Sequence, residues 1–431
     1  MISVEQLYEI YKKHSIIATD TRKLPKDCIF FALKGDNFNG NKFAQNALAE
    51  GAAFVVVDEE IQSEDTRILR VENVLTALQN LATFHRNTLG IPVLAITGSN
   101  GKTTTKELVA AVLSQTFKTL YTQGNLNNHI GVPLTLLSIN DSHEFAVIEM
   151  GANHQKEIEL LCSIAKPDFG MITNIGKAHL EGFGGIEGVK KGKGELYQFL
   201  KNKNSLIFIN SDSADLSELA DGYTTVVTYG KSKDAHFIGS SSIENEFLTI
   251  ELTSPFLLKI QSKITGEYNF NNVMAAIAIG SHFGVPTDKI KSGIEGYIPT
   301  NQRSQIIDIG ELKIVMDAYN ANPSSMEVAI ANFKSNFWGD KFIALGEMLE
   351  LGEVSRMEHL KIGELIQDVK CKEVVLVGKL FAEAASKFGY RHFDDSMQAA
   401  TYFSNKKINQ GVLLIKGSRG SKMENILAVL K

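Results

Sequence analysis

The clearest chemistry in the chain sits in Gly98-Ser99-Asn100-Gly101-Lys102-Thr103-Thr104. These residues follow a short apolar run, Val93-Leu94-Ala95-Ile96-Thr97, and open a stretch with helical spacing in which Leu108, Ala111 and Val112 share a face. A loop so placed aims several backbone N–H groups at one point, and the helix start adds partial positive charge. Lys102 can then reach the outer phosphates of a nucleotide, and the Thr103 hydroxyl can ligate Mg²⁺. The spacing is a short GxxGKT, not the common GxxxxGK[ST], because Ile96 stands where the leading glycine would fall. A glycine turn ahead of a lysine-capped helix is the bland alternative; the strand–loop–helix context favours a triphosphate.

Phosphoryl transfer needs a divalent ion to neutralise developing charge, and Mg²⁺ prefers oxygen ligands. Glu149 ends the run Val147-Ile148-Glu149, where a carboxylate could face the phosphates, and His179 closes Thr173-Asn174-Ile175-Gly176-Lys177-Ala178-His179. Taken alone, Glu149 reads equally as a ligand and as a structural acid. His179 alone reads first as a loop histidine. Lys193, in the basic cluster Lys190-Lys191-Gly192-Lys193, reads alone as part of a solvated face.

The surrounding pattern predicts an α/β chain in three domains, within the range expected for 431 residues. Residues 1–88 read as a small α/β domain with buried strands at 28–33 and 53–57. Residues 89–299 read as a central domain with strands at 93–97, 145–149, 169–173 and 205–209, a strand-rich insertion at 224–264 and a packed helix at 270–283. Residues 300–431 alternate strands at 313–317, 342–345, 374–377 and 412–415 with helices, one of them starting near Pro323. That alternation predicts a parallel sheet whose ligand rim, at the strand carboxyl ends, holds Gly346, Gly378 and residues 416–419.

With 44% apolar and 22% charged residues, the composition is that of an ordinary globular protein. A net charge of -5 argues against a nucleic-acid partner. Cys28, Cys162 and Cys371 form no CxxC pair and read as free thiols in a reducing compartment. No basic segment followed by an apolar one opens the chain, and no run approaches the roughly 20 apolar residues of a membrane span. The expectation is a cytoplasmic monomer with no membrane contact.

Together these segments resemble the Mur ligases. The resemblance is carried by ITGSNGKTTTK from Ile96, GNLNNHIGVPLTLL from Gly124, IEMGAN from Ile148, ITNIGKAHLEGFG from Ile172, NFNNVMAAIA from Asn269, DAYNANPSSM from Asp317, LGEMLELG from Leu345 and LIKGSRG from Leu414. It implies a UDP-binding first domain, a central P-loop mononucleotide-binding domain with a parallel sheet, and a C-terminal Rossmann-like domain that closes on ATP and binds the incoming amine. DAYNANPSSM and LGEMLELG look like the member that joins D-alanyl-D-alanine to UDP-N-acetylmuramoyl-tripeptide through an acyl phosphate.

The resemblance also implies roles. Gly98, Ser99, Asn100, Gly101, Lys102, Thr103 and Thr104 would hold the ATP phosphates, and Thr103 and Glu149 would share one Mg²⁺. His179 would ligate a second, together with a carbamylated Lys193. Asn269 and Asn272 would lie on the adenine side, and Arg303 and Asp317 would close on the γ-phosphate and ribose. Asn127 and Asn128 would face the muramoyl peptide, while Asp20, Thr21 and Arg22 would help seat UDP. Carbamylation needs a depressed lysine pKa or capture by metal, since an ordinary lysine with pKa about 10.4 is almost wholly protonated at neutral pH. Two positions depart from the family pattern, Asn41 and Tyr268, where histidine is common. Two rivals stay open. One is a sibling that adds a single amino acid, although Ala321-Asn322-Pro323-Ser324 stands where siblings adding a diamino acid carry an Asp-Asn-Pro-Arg type motif. The other is a nucleotide-gated binding protein without catalysis.

Overall fold

The computed structural model describes residues 1–300 and 302–430, and three principal sheets follow one another along the chain. The first is parallel, in the order Ile17–Ala18, Ile29–Phe31, Phe54–Val57, Ile68–Arg70. Its inner strand Ile29–Phe31 is wholly buried, as an apolar run covered on both faces must be. The helix Val74–Thr88 starts where the Asn73 side chain accepts from Thr76 N, an N-cap bond. Its Val74, Leu78, Leu81 and Ala82 enter a buried cluster that also holds Val93 and Ala95 of the central sheet and Val132 and Leu136 beside it. The first domain and one face of the central sheet thus share a core.

The central sheet runs Leu258–Gln261, Phe247–Ser254, Phe237–Glu244, Val226–Gly230, Leu206–Asn210, Phe169–Ile172, Val93–Thr97, Phe145–Glu149, Thr119–Tyr121. It is parallel from Thr119–Tyr121 as far as Phe237–Glu244 and antiparallel beyond. Residues 224–264 are therefore no insertion. They extend the nucleotide-domain sheet, because alternate side chains of Phe247–Ser254 (Leu248, Ile250, Leu252) are buried in the cluster that holds Val273, Met274 and Ile277 of helix Phe270–His282. Composition showed their β character but not their pairing. The edge strand Thr119–Tyr121 is too short and too half-buried to leave a sequence pattern.

The third sheet orders Gln305–Ile309, Glu311–Asp317, Gln410–Lys416, Lys341–Gly346, Glu373–Val377, Arg391–Phe393. All neighbours are parallel except the first pair, a hairpin turned at Gly310, whose φ of 60° suits glycine. Separate apolar clusters cover its two faces, as a doubly covered parallel sheet requires. The helix Pro323–Asn336 begins with proline in its first turn, as the sequence predicts.

Candidate active site

The strand Val93–Thr97 lies between two parallel neighbours and delivers its carboxyl end to the loop before helix Lys102–Leu113. Gly98 has φ 141°, and a Cβ there would meet Thr173 Oγ1 at 2.0 Å. At Gly101, φ 79°, a Cβ would meet Asn272 Oδ1 at 2.7 Å. Both positions admit only glycine, so the backbone can be drawn in close. A second loop braces the first. Ser99 Oγ donates to Gly176 O at 3.0 Å, Asn100 N donates to Asn174 Oδ1 at 3.0 Å, and Thr173 Oγ1 donates to Asn100 O at 2.6 Å.

The Lys102 ammonium folds back onto Gly98 O at 2.7 Å. Burial lowers its pKa to about 8, with Glu149 opposing the shift and Arg303 adding to it. Such an ammonium has its charge disfavoured by burial and is stabilised by an anion placed against it. Thr103 Oγ1 donates to Glu149 Oε2 at 2.9 Å, and Asn127 Nδ2 donates to Glu149 Oε1 at 2.8 Å. Glu149 is itself buried, with its backbone N donating to Thr122 Oγ1 at 2.9 Å. The hydroxyl and carboxylate, side by side at the helix start, make the oxygen donor set that Mg²⁺ accepts beside phosphates.

Behind the loop, Thr105 Oγ1 donates to Asn272 Oδ1 at 3.0 Å, Asn272 Nδ2 to Asn269 Oδ1 at 2.7 Å, and Asn269 Nδ2 to Thr265 O at 2.9 Å. Asn269 and Asn272 thus brace the loop from behind, whereas the resemblance implied contact with the adenine side. Tyr268, one of the departures from the family pattern, is half-buried and hydrogen-bonded to Ser304 Oγ at 2.8 Å. The other departure, Asn41, is structural: its Nδ2 donates to Asp58 Oδ1 at 2.9 Å and its Oδ1 accepts from Asp58 N at 3.1 Å.

Lys193 is not on a solvated face. It lies on the buried stripe of helix Ile186–Asn202, with its ammonium 2.9 Å from Ala152 O and 4.9 Å over the Phe183 ring. Burial, and next the positive charge of Lys102, push its pKa well below the ordinary lysine value. This is one of the two routes by which a lysine becomes open to carbamylation. His179, with φ 53°, turns its Nδ1 to the Glu350 carboxylate of the third domain. Among the described residues, no three His, Cys, Asp or Glu side chains converge as a ready-made metal cluster.

The third domain supplies the opposite wall. The Arg303 guanidinium lies 3.8 Å from the Tyr319 ring centroid, and its buried Nε finds no acceptor among the described residues. A buried unpaired guanidinium N–H is unfavourable unless a ligand meets it. Lys416 Nζ pairs with Asp317 Oδ2 at 2.5 Å. Asn322 Nδ2 donates to Asn100 Oδ1 at 2.7 Å, Lys177 N donates to Ser324 Oγ at 3.1 Å, and Lys177 Nζ pairs with Glu358 at 2.6 Å. The third domain is thus seated on the loop.

Between the walls lies a cavity of about 780 Å³ that Ser99, Asn100, Gly101, Lys102, Thr103 and Thr104 line together with Glu149, His179, Arg303 and Asp317. Asn127, Asn128, Asn269 and Asn272 also reach it. Gly98 and Lys193 lie behind its wall. The structure does not bring Asp20, Thr21 and Arg22 to this cavity. They form an exposed turn in which Asp20 accepts from Arg22 N at 2.9 Å and pairs with its guanidinium at 2.6 Å. Sequence reading gave no role to Asn100–Asn322, Lys416 with Asp317, Tyr319 or Glu350. Of these, only Lys416 stood on the rim that strand–helix alternation marked.

A phosphate cradle on one domain, faced by a cationic rim on another, defines a nucleotide-dependent enzyme that encloses its reactants between domains. Three family models cover most of the chain: Mur ligase family, catalytic domain, at residues 13–86; Mur ligase middle domain at 96–280; and Mur ligase, glutamate ligase domain, at 302–419. The UDP-N-acetylmuramoyl-tripeptide–D-alanyl-D-alanine ligase of Bacillus subtilis (strain 168) is 38% identical, over 95% of this chain and 92% of its own length. A crystal structure of MurF from Acinetobacter baumannii superposes with TM-score 0.88 at 31% identity, over 96% of this chain and 92% of that one. MurF ligase from Thermotoga maritima, in complex with ADP, superposes with TM-score 0.85 at 26% identity, over 96% of each chain. The chain belongs to the Mur ligase family.

Proposed function

We propose that this chain joins D-alanyl-D-alanine to UDP-N-acetylmuramoyl-tripeptide, converting ATP to ADP and phosphate and giving the UDP-linked pentapeptide used for peptidoglycan. The observation that carries this is the near-full-length match to ligases of that activity, in a chain whose phosphate loop faces a rim from the third domain. The division of labour follows the three domains: UDP on residues 1–88, ATP on 89–299, and closure with dipeptide binding on 300–431.

A carboxylate is a poor electrophile, so the terminal carboxylate of the tripeptide takes the γ-phosphoryl group and becomes an acyl phosphate. The dipeptide amine attacks its carbonyl, and a tetrahedral intermediate collapses to amide and phosphate. The chain contributes position and charge. The backbone N–H groups of residues 101–104 hold the phosphates, Lys102 neutralises the outer ones, and Arg303 meets the γ-phosphate with its unpaired Nε–H. Asp317, fixed by Lys416, stands towards the ribose.

Thr103 and Glu149 would hold one Mg²⁺ ion, and His179 with a carbamylated Lys193 would hold a second. When bound, they neutralise charge on the transferring phosphoryl group. The depressed pKa of Lys193 supports the carbamate, because the neutral amine is the form that adds CO₂. Asn127 and Asn128 face the muramoyl peptide while also holding Glu149 and the start of helix Gly131–Leu136. Asp20, Thr21 and Arg22 seat the UDP end. No helix among the described residues is long and apolar enough to cross a membrane, and we place the enzyme in the cytoplasm with its nucleotide substrates.

The test is mass spectrometry of the products after incubation with ATP, Mg²⁺, UDP-N-acetylmuramoyl-tripeptide and D-alanyl-D-alanine. The UDP-linked pentapeptide is expected, with no adduct from glutamate, lysine or diaminopimelate offered singly. A single-residue adduct, or ATP binding without product, would overturn the reading.

A further inference from the structure

The cavity wall holds one more cation than the phosphates and the internal ion pairs use. Lys102 belongs to the phosphate loop, Lys416 is neutralised by Asp317, and Arg303 is close enough for its charge to act on Lys102. Arg419 also lines the cavity, yet it makes no ion pair among the described residues. Its guanidinium lies 5.5 Å from the centroid of Tyr319, the ring that carries Arg303 at 3.8 Å.

The backbone beneath Arg419 is fixed. It follows the strand Gln410–Lys416, which lies inside the third sheet, so Arg419 stands at that strand's carboxyl end, where ligands of such sheets bind. Ser418 Oγ donates to Glu347 O at 2.7 Å, and Ser421 N closes the turn on Ser418 O at 3.0 Å. A fixed turn therefore presents an exposed guanidinium to the cavity.

We propose that Arg419 binds the free carboxylate of the incoming dipeptide. The inference rests on the ligase reading above. An unprotected dipeptide carries a carboxylate at the end away from its reacting amine. In a cavity built around phosphate that charge is repelled unless it has its own cation, and guanidinium meets carboxylate through two parallel N–H···O bonds. Two guanidiniums gathered at one aromatic ring lie within reach of the two ends of a small substrate, an extended dipeptide being about 7 Å long. One can therefore face the phosphoryl end of the reaction while the other holds the tail of the amine substrate.

The experiment compares the full-length enzyme with Arg419→Gln and Arg419→Lys, using D-alanyl-D-alanine and its C-terminal amide as alternative substrates. A charge-assisted hydrogen bond supports roughly tenfold to hundredfold in KM. Arg419→Gln is expected to raise the dipeptide KM by about that factor, with the KM values for ATP and the UDP-tripeptide shifting far less. The wild type should discriminate against the amide by a similar factor, and Arg419→Gln should lose that discrimination. Arg419→Lys should fall between. If Arg419→Gln still prefers the acid to the amide as the wild type does, or if the KM for ATP rises in step with that for the dipeptide, the assignment is wrong. A wild type that ligates neither substrate would instead defeat the ligase reading itself.

Discussion

Two lysines at the site have their positive charge disfavoured by burial, and they do opposite work. Lys102 lines the cavity, where an anion offsets that penalty; Lys193 lies behind the wall, where losing its proton permits acylation by CO₂. Lys102→Ala should lower kcat on the order of a hundredfold to a thousandfold, the usual loss on removing one transition-state stabiliser. ADP release at saturating substrate checks it, and near-normal turnover would contradict the assignment. Lys193→Ala should abolish most activity, with partial return on adding a short carboxylic acid. If the wild type at ample CO₂ shows only a bare amine by crystallography and by NMR with carbon-labelled CO₂, the carbamate is ruled out. The phosphate loop was legible because its chemistry is local: glycines, lysine and threonine in one run after an apolar strand. Lys193 was legible only through resemblance, although a further signal was there. Val189, Lys193, Leu196 and Leu200 recur at helical spacing, so a lysine sits on an otherwise apolar stripe.

The element that most directly joins loop to rim is the helix Pro323–Asn336. Asn322 caps it by accepting from Ser325 N at 2.9 Å and, through its Nδ2, holds Asn100 of the phosphate loop. One side chain thus starts a helix in one domain and touches the nucleotide loop of another. Asn322→Ala should lose about 1 kcal/mol of stability with the cap, and turnover as well. Asn322→Ser keeps a capping oxygen but cannot reach Asn100, so it should restore the melting temperature without restoring kcat. Serine turning over at the wild-type rate would show that the bridge is idle. The sequence announced this helix start through its proline, but a contact between residues more than two hundred positions apart leaves no periodic trace. The same reason hid the pairing of 224–264 with the central sheet: strand-forming residues are local information, and the neighbour they choose is not.

Across the whole molecule, two buried histidines tie acid sensitivity to assembly. His85, on the helix Val74–Thr88, reaches Ile139 O of the central domain with Nε2 at 2.9 Å. In the third domain His359 donates from Nδ1 to Ser355 O at 2.7 Å and accepts at Nε2 from Met348 N at 3.1 Å, a pattern only the neutral ring can satisfy. Burial lowers both pKa values. An unfolded histidine ionises near pH 6.5, so below that value the unfolded chain binds more protons and the fold loses stability until the folded pKa is passed. The melting temperature should therefore drop between about pH 7 and pH 5, and His85→Gln should flatten part of that slope. An unchanged slope in the variant would remove His85 from the account.

The two seams of the molecule differ in kind. Leu78, Leu81 and Ala82 of the first domain are merged with Val132 and Leu136 in oil, whereas the third domain meets the phosphate loop and the loop that braces it through amides, a hydroxyl and an ion pair that water can replace. Prising the first apart exposes apolar surface at roughly 25 cal/mol per Å², while undoing the second merely trades partners. A third domain held this way can lift from the cavity at little cost, while the first domain and the central sheet stay in one piece.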